Sequence, residues 1–145
     1  MKISIACDHG GFELKENLKK WLKENNYEVI DYGTNSLDSC DYPDFGRKAA
    51  EAVRDNLVDR GIVICTTGIG MSIVANKVKG IRCALVSNTE GASLTRRHND
   101  SNVLALGAKF TDDALAKEIT KIWLETEFEG GRHQRRVDKI MDIEK

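Results

Sequence analysis

Short apolar runs alternate with amphipathic stretches along almost the whole chain. The pattern predicts a strand over Ile3–Cys7, a helix from about Gly11 to Asn25 and a strand over Tyr27–Tyr32. It continues with a helix over Tyr42–Asn56, a strand over Gly61–Thr66, a short helix over Met71–Lys77 and a strand over Ile81–Ser87. A helix over Thr89–Arg97, a strand over Val103–Leu106, a helix over Thr111–Thr126 and a last helix after Gly131 complete the series. Thr111 is the expected N-cap of the penultimate helix, with Asp112 and Asp113 in its first turn complementing the helix dipole. Strands this apolar need cover on both faces, so the expected architecture is α/β, a five-stranded parallel sheet between helical layers. There is no internal repeat, low-complexity tract or linker, and residues 1–145 read as one domain.

The most informative stretch is Ile62–Asn76, IVICTTGIGMSIVAN. An apolar strand delivers Cys65 into a turn holding Thr66, Thr67, Gly68 and Gly70, and a helix starts there. Backbone N–H groups converge at such a turn and attract phosphates, enolates and other oxyanions. A thiol on that rim suits proton transfer or nucleophilic chemistry, because the same helix start favours thiolate over thiol. In open parallel sheets ligands bind beyond the carboxyl ends of the strands, near the switch in strand order. That rule brings Asp8 and His9 from the first strand to face Cys65 and Thr67 from the third, with Asp41 and Tyr42 added by the next loop.

Composition narrows the classes. With 41% apolar residues the chain can fill one core, and a net charge of −1 offers no basic field for nucleic acid or anionic membrane. No stretch approaches the ~20 apolar residues of a membrane span. The start MKISIACDHGG enters a strand directly without a secretory leader, so a cytoplasmic protein is expected. Cys7, Cys40, Cys65 and Cys83 contain no C-x-x-C pair, which argues against a zinc ribbon or a thioredoxin-type couple. Cys7 and Cys83 read as core residues inside strands, Cys40 as an unpartnered residue of a polar turn, and Cys65 as either buried structure or a reactive group. GIGMSI lacks the Gly-Lys-Ser/Thr of a Walker A loop, and Ile73 stands where a dinucleotide fingerprint wants its third glycine.

Two further groups carry competing readings. His98 and Asn99 precede the fifth strand and belong near the amino end of the sheet, away from Cys65. If they take part in chemistry they enter a neighbouring protomer's site, which predicts a dimer with composite sites. RRHND at a helix end also fits basic residues at the C-terminal dipole followed by an Asn-Asp turn, and the local pattern favours that plainer reading. In GGRHQRRV, Arg132 and Arg136 stand four residues apart on one helical face. Two guanidinium forks suit a phosphate, and a solvated basic face fits the same spacing.

Taken together, DHGG at Asp8–Gly11, DYPDF at Asp41–Phe45, CTTGIGMSIVANK at Cys65–Lys77, RRHNDSNVLALG at Arg96–Gly107 and GGRHQRRV at Gly130–Val137 resemble the ribose-5-phosphate isomerase B family. The blocks follow the family's order and spacing over nearly the whole chain. The resemblance implies a Rossmann-like three-layer α/β/α sandwich and a homodimer with sites at the subunit interface, where the C-terminal helix also lies. It implies interconversion of D-ribose 5-phosphate and D-ribulose 5-phosphate with no metal and no cofactor. Carried over by position, Cys65 is the base that moves a proton between C1 and C2 through an enediolate, and the backbone of Gly68, Ile69, Gly70, Met71 and Ser72 is its anion hole. Asp8 handles hydroxyl protons, Thr67 and His98 assist ring opening, His9, Arg132 and Arg136 hold phosphate, and Tyr42 and Asn99 hold the sugar. Two positions depart from the pattern. Thr66 stands where relatives often have glycine, and Lys109 where some place a phosphate-contacting arginine, which a lysine replaces only as a point charge. Pocket length for a six-carbon substrate such as allose or galactose 6-phosphate, a role as a non-catalytic sugar-phosphate sensor, and pairing of dimers into tetramers all stay open at the level of sequence.

Overall fold

The computed structural model describes residues 1–145. The chain runs β1 (Lys2–Cys7), a 3-10 turn (His9–Gly11), α1 (Phe12–Glu24), β2 (Glu28–Asp31), α2 (Tyr42–Arg54) and β3 (Arg60–Cys65). It continues through α3 (Ile69–Asn76), β4 (Cys83–Leu85), α4 (Thr89–Asn99), β5 (Val103–Gly107), α5 (Asp113–Glu125) and α6 (Arg132–Asp142). All five strands are parallel, in the order β2-β1-β3-β5-β4. The expected three-layer α/β/α sandwich is therefore what the chain forms. Strand order reverses at the β1–β3 pair, since β2 lies to one side of β1 and every later strand to the other.

Side-chain alternation along each strand assigns the two faces. Ile3, Ile5, Ile62, Ile64, Leu104 and Leu106 point to the layer of α1, α4 and α5, where Leu14, Leu18, Leu22, Ile119 and Trp123 complete a core of large side chains. Trp123 is fully buried there and its indole N–H donates to Ser101 Oγ at 2.9 Å. The opposite face carries smaller groups, among them Ala6, Ala49, Ala50, Ala75 and Ala105, which lets α2 and α3 approach the sheet closely. Cys65 is one step from Ile64 and falls on this α2–α3 side.

Beyond shifts of one or two residues at the element ends, three differences from the sequence expectation change local structure. The α5 cap is Asp112, whose carboxylate accepts the Leu115 N–H at 2.8 Å, and not Thr111, which is buried with its hydroxyl unpartnered. A carboxylate at the cap satisfies the same orphan donor and adds favourable charge at the dipole. The fourth strand shortens to Cys83–Leu85 because β4 is an edge strand paired only with β5. The Asp-His-Gly-Gly segment forms its own 3-10 turn, capped by Asp8, before α1 begins.

One buried charge anchors the loop after β2. Lys15 is fully buried, and its ammonium meets both Asp31 oxygens at 2.9 and 2.8 Å and the Thr34 carbonyl at 2.6 Å. Lys19 and the Gly33 N–H also donate to Asp31, each at 2.8 Å. Gly33 and Thr34 in turn bond the backbone of Cys7 at 2.7 and 2.8 Å, tying this loop to the end of β1. Burial pushes the Asp31 carboxyl up, but the donors from Lys15, Lys19 and Gly33 outweigh it and hold the group below the usual carboxylate value. A carboxyl depressed in the folded state stabilises above its unfolded value of about 3.9, and that contribution is lost as pH falls through the folded value. Asp31→Asn removes the carboxylate that bonds buried Lys15 directly, leaving it Glu16 at 3.6 Å, and is expected to cost about 3 kcal/mol or more. Urea unfolding between about pH 3 and pH 7 checks both points, with the acid-side fall in stability smaller in the variant.

Candidate active site at the β1–β3 switch

The site is built on a backbone contact. Cys65, the last residue of β3, lies opposite Gly107, the last of β5. Beyond them the Ala108 N–H bonds the Cys65 carbonyl and the Lys109 N–H bonds the Thr66 carbonyl, each at 2.9 Å. A side chain on Gly107 would collide with the Thr67 carbonyl. One on Gly68 would stand 2.8 Å from the Leu106 carbonyl carbon, and Gly68 also has φ +77°. Only glycine fits either place without strain. The loop is thus clamped onto β5, and α3 must start at Gly68.

That start determines which donors are free. The Gly68 N–H donates to Cys65 Sγ at 3.1 Å, and the Ile69 N–H to Thr67 Oγ1 at 3.3 Å. The Ser72 N–H is taken by the Gly68 carbonyl at 3.0 Å, and the Ser72 hydroxyl by the Ile69 carbonyl at 2.7 Å. Gly70 and Met71 therefore supply the first-turn N–H groups left for an external anion. Of the Gly68–Ser72 backbone expected to form an anion hole, these two N–H groups are the free ones, and that of Gly68 is turned to the sulfur. Cys65 is 5% exposed, so it is enclosed yet reaches the surface, and the Gly68 N–H points at its sulfur. Cys7, by contrast, is fully buried, and burial pushes its thiol up to about 12.

The facing wall comes from β1 and the loop before α2. Asp8 is buried, and its Oδ1 accepts the Gly11 N–H at 3.0 Å. His9 Nδ1 accepts the Cys40 N–H at 3.3 Å, which leaves the ring proton on Nε2. Cys40 thus has a partner after all, its Sγ lying 3.9 Å from the same nitrogen. The Tyr42 ring lies on Gly70, where an added Cβ would come within 2.6 Å of Cζ. Thr66 is accommodated because residue 10 is glycine; a side chain there would collide with Thr66 Oγ1. Gly10, Thr66 and Lys109 together border a cleft of about 450 Å³ running between the starts of α1 and α5.

The remaining expected residues lie elsewhere. His98 and Asn99 end α4, and Arg132 and Arg136 stand on α6, which packs against α4. Arg82, just ahead of β4, donates to the Asn99 carbonyl at 3.0 Å. This is the amino edge of the sheet, separated from Cys65 by the length of β5, roughly 13 Å at 3.3 Å per residue. Arg96 behaves as the plainer reading of RRHND predicts: it is buried and caps the helix end through Asp100 at 2.8 Å and the Ser101 carbonyl at 2.6 Å. His98 instead stacks on His133, with ring centroids 4.3 Å apart and planes 10° from parallel. With Glu129 these two histidines place three potential ligand atoms within 4.8 Å of one another. Lone pairs lying in two parallel planes cannot meet at one ion, so the stacked arrangement is not a ready metal cage.

A family model for ribose/galactose isomerase matches residues 3–140. The chain belongs to the ribose/galactose isomerase family. It is 49% identical over 143 residues to ribose-5-phosphate isomerase B of Escherichia coli, covering 99% of this chain and 96% of that protein. The solved ribose-5-phosphate isomerase B of Clostridium thermocellum superposes with TM-score 0.98 at 55% identity, over 99% of this chain and 97% of that one. The Mycoplasma genitalium enzyme, solved with bound ribulose-5-phosphate, gives TM-score 0.95 at 45% identity over 99% and 95% of the two chains. Within this ribose/galactose isomerase fold, Asp8, His9, Tyr42, Cys65, Thr67, Gly70, Met71 and Lys109 gather at one end of the sheet, and His98, Asn99, Arg132 and Arg136 at the other. Glu129, His133 and the Cys40–His9 contact are not among the features expected from the sequence. The spacing of Glu129 and His133 was the available signal, since a glycine pair between them folds the carboxylate back onto the ring.

The clamp gives a direct expectation. Gly68→Ala combines a left-handed backbone with a backbone collision and should destabilise by about 2 kcal/mol or more, read from the urea midpoint. A loss below about 0.5 kcal/mol, the range of neutral surface changes, would show that the loop is not held this way.

Proposed function

We propose that the protein interconverts D-ribose 5-phosphate and D-ribulose 5-phosphate as a homodimer, each site drawing on both copies. The observation that carries this reading is Cys65, set beside the free N–H groups at the start of α3 and faced by Asp8. A relative of the same fold is described with ribulose-5-phosphate bound, which supports the substrate. A second copy is supported by the division of the residues between the two ends of the sheet. It is supported also by Ile69, Ile73, Leu85 and Phe110, whose exposures of 51, 57, 45 and 57% leave apolar surface around the loop.

In this mechanism the phosphate is held by the His9 Nε2–H and Lys109 of one copy and by Arg132 and Arg136 of the other. Ring opening breaks the bond between C1 and the ring oxygen. The ring oxygen takes a proton from His98 of the second copy, with Thr67 beside it, and O1 loses its proton to Asp8 as the aldehyde forms. Cys65 then removes the C2 proton, and the electron pair moves through the C1–C2 bond onto O1. The Gly70 and Met71 N–H groups stabilise that oxyanion, at about 3 to 4 kcal/mol for each well-placed donor. Asp8 returns to O1 the proton it took from there and takes the O2 proton in its place, Cys65 returns its proton to C1, and the proton left on Asp8 passes through solvent back to His98, which completes the ketose and restores both groups. Tyr42 and the second copy's Asn99 orient the sugar. No step calls on a metal or cofactor. The five-carbon sugar is the preferred substrate over allose or galactose 6-phosphate, and the reaction belongs to the non-oxidative pentose phosphate pathway in the cytoplasm.

Cys65→Ala is expected to lower turnover by roughly 10²-fold or more while leaving ribose 5-phosphate binding in place. Near-normal turnover would exclude the thiol as base. Random mixing of Cys65→Ala and His98→Ala chains should restore about a quarter of native turnover, because half of the dimers carry one intact site of two. Activity no higher than that of either parent would exclude shared sites.

A further inference from the structure

Glu129 and His133 have no role in the mechanism above, yet both lie against His98. His133 lies in the first turn of α6 and is about nine-tenths buried, and its ring covers one face of the His98 imidazole at 4.3 Å. Its Nε2 faces Glu129 Oε1 at 3.4 Å. Glu129 is fixed in turn by Arg97, the residue before His98: Arg97 Nε donates to Oε2 at 2.6 Å, and the Glu129 N–H donates to the Arg97 carbonyl at 3.1 Å. The four residues therefore close a ring of contacts, Arg97 to Glu129 to His133 to His98 and back along α4. We propose that His133, braced by Glu129, is a positioning residue for His98, fixing the plane in which His98 offers its proton to the ring oxygen in the neighbouring copy's site. The proposal rests on the isomerase reading above.

Three observations support it. A ring covered on one face by a parallel neighbour cannot turn about its side-chain bonds without giving up the contact, so one orientation of His98 is selected. Burial holds the His133 imidazole below its ordinary value, as do the positive charges of His98, Arg132 and Arg136, against the opposing pull of Glu129. A neutral His133 lets His98 carry a proton without two cations meeting face to face. Finally, the parallel planes that disfavour metal binding are the geometry a stacking support requires.

The test separates ring chemistry from proton transfer at carbon. D-ribulose 5-phosphate has its O5 esterified and cannot close a furanose, so incorporation of solvent deuterium at its C1 reports Cys65 chemistry with no ring to open. His133→Ala should lower kcat on ribose 5-phosphate by about tenfold or more, within the range of general acid catalysis, with KM and the deuterium rate held within about twofold. His133→Phe keeps a flat ring in place and should recover most of that loss. Equal losses in both readouts, a rise in KM from displacement of Arg132 and Arg136, an unchanged kcat, or a phenylalanine variant no better than alanine would each overturn the proposal. Absence of turnover by the unaltered protein would overturn the isomerase reading, and this one with it. Normal turnover in the unaltered protein and in both His133 variants would overturn this one alone.

Discussion

The molecule depends on a place where two backbones touch with no side chain between them. At the ends of β3 and β5, Gly68 and Gly107 let the loop after Cys65 lie directly on the neighbouring strand. The β3 side of the crevice takes its position from that contact. It turns the chain so that α3 starts under the thiol, engages the Gly68 N–H with sulfur and leaves the Gly70 and Met71 N–H groups unspent. A helix start oriented this way stabilises charge that appears on a substrate oxygen without reorganising when it appears, which is the most economical form of electrostatic catalysis.

The opposite wall is held by a different force. Lys15, buried with Asp31, fixes the 33–34 backbone to Cys7, and so to the strand end from which Asp8 and His9 emerge. Buried pairs of this kind contribute little net stability compared with an apolar replacement, but they penalise every arrangement in which one partner is displaced. Between this wall and the α3 start lies the β1–β3 switch, where a parallel sheet offers its natural crevice. The sheet cannot bring His98, Asn99, Arg132 and Arg136 to that crevice, because parallel strands put the residues before β5 at the far end. In the proposed homodimer a second copy supplies these residues, and the half-exposed Ile69, Ile73, Leu85 and Phe110 beside the crevice are the surface it would cover.

Much of this was legible in the sequence because period-2 and period-3.6 patterns report burial directly. Strands such as Gly61–Thr66 and Val103–Leu106 fell within a residue or so of their observed limits. The reading of His98 as belonging to the amino end followed from order alone and agrees with the structure. Lys15 was not legible: a lysine on an amphipathic helix looks solvated, and its burial depends on Asp31 from another element. The cap at Asp112 was missed because Thr111 and Asp112 are both good caps, and only tertiary packing, which buries the threonine, chooses between them. Neither the insertion of β5 between β3 and β4 nor the His98–His133 stack has a local signature, since each joins segments distant along the chain.

In the proposed function this arrangement performs aldose–ketose proton transfer on a five-carbon sugar phosphate. The most direct measurement incubates the purified protein with D-ribose 5-phosphate in a chelator, with allose 6-phosphate in parallel, and follows the ketose by proton NMR. Catalytic conversion of ribose 5-phosphate to ribulose 5-phosphate is expected, undiminished by the chelator and faster than conversion of the six-carbon sugar. Folded protein that leaves both sugars unchanged would contradict it.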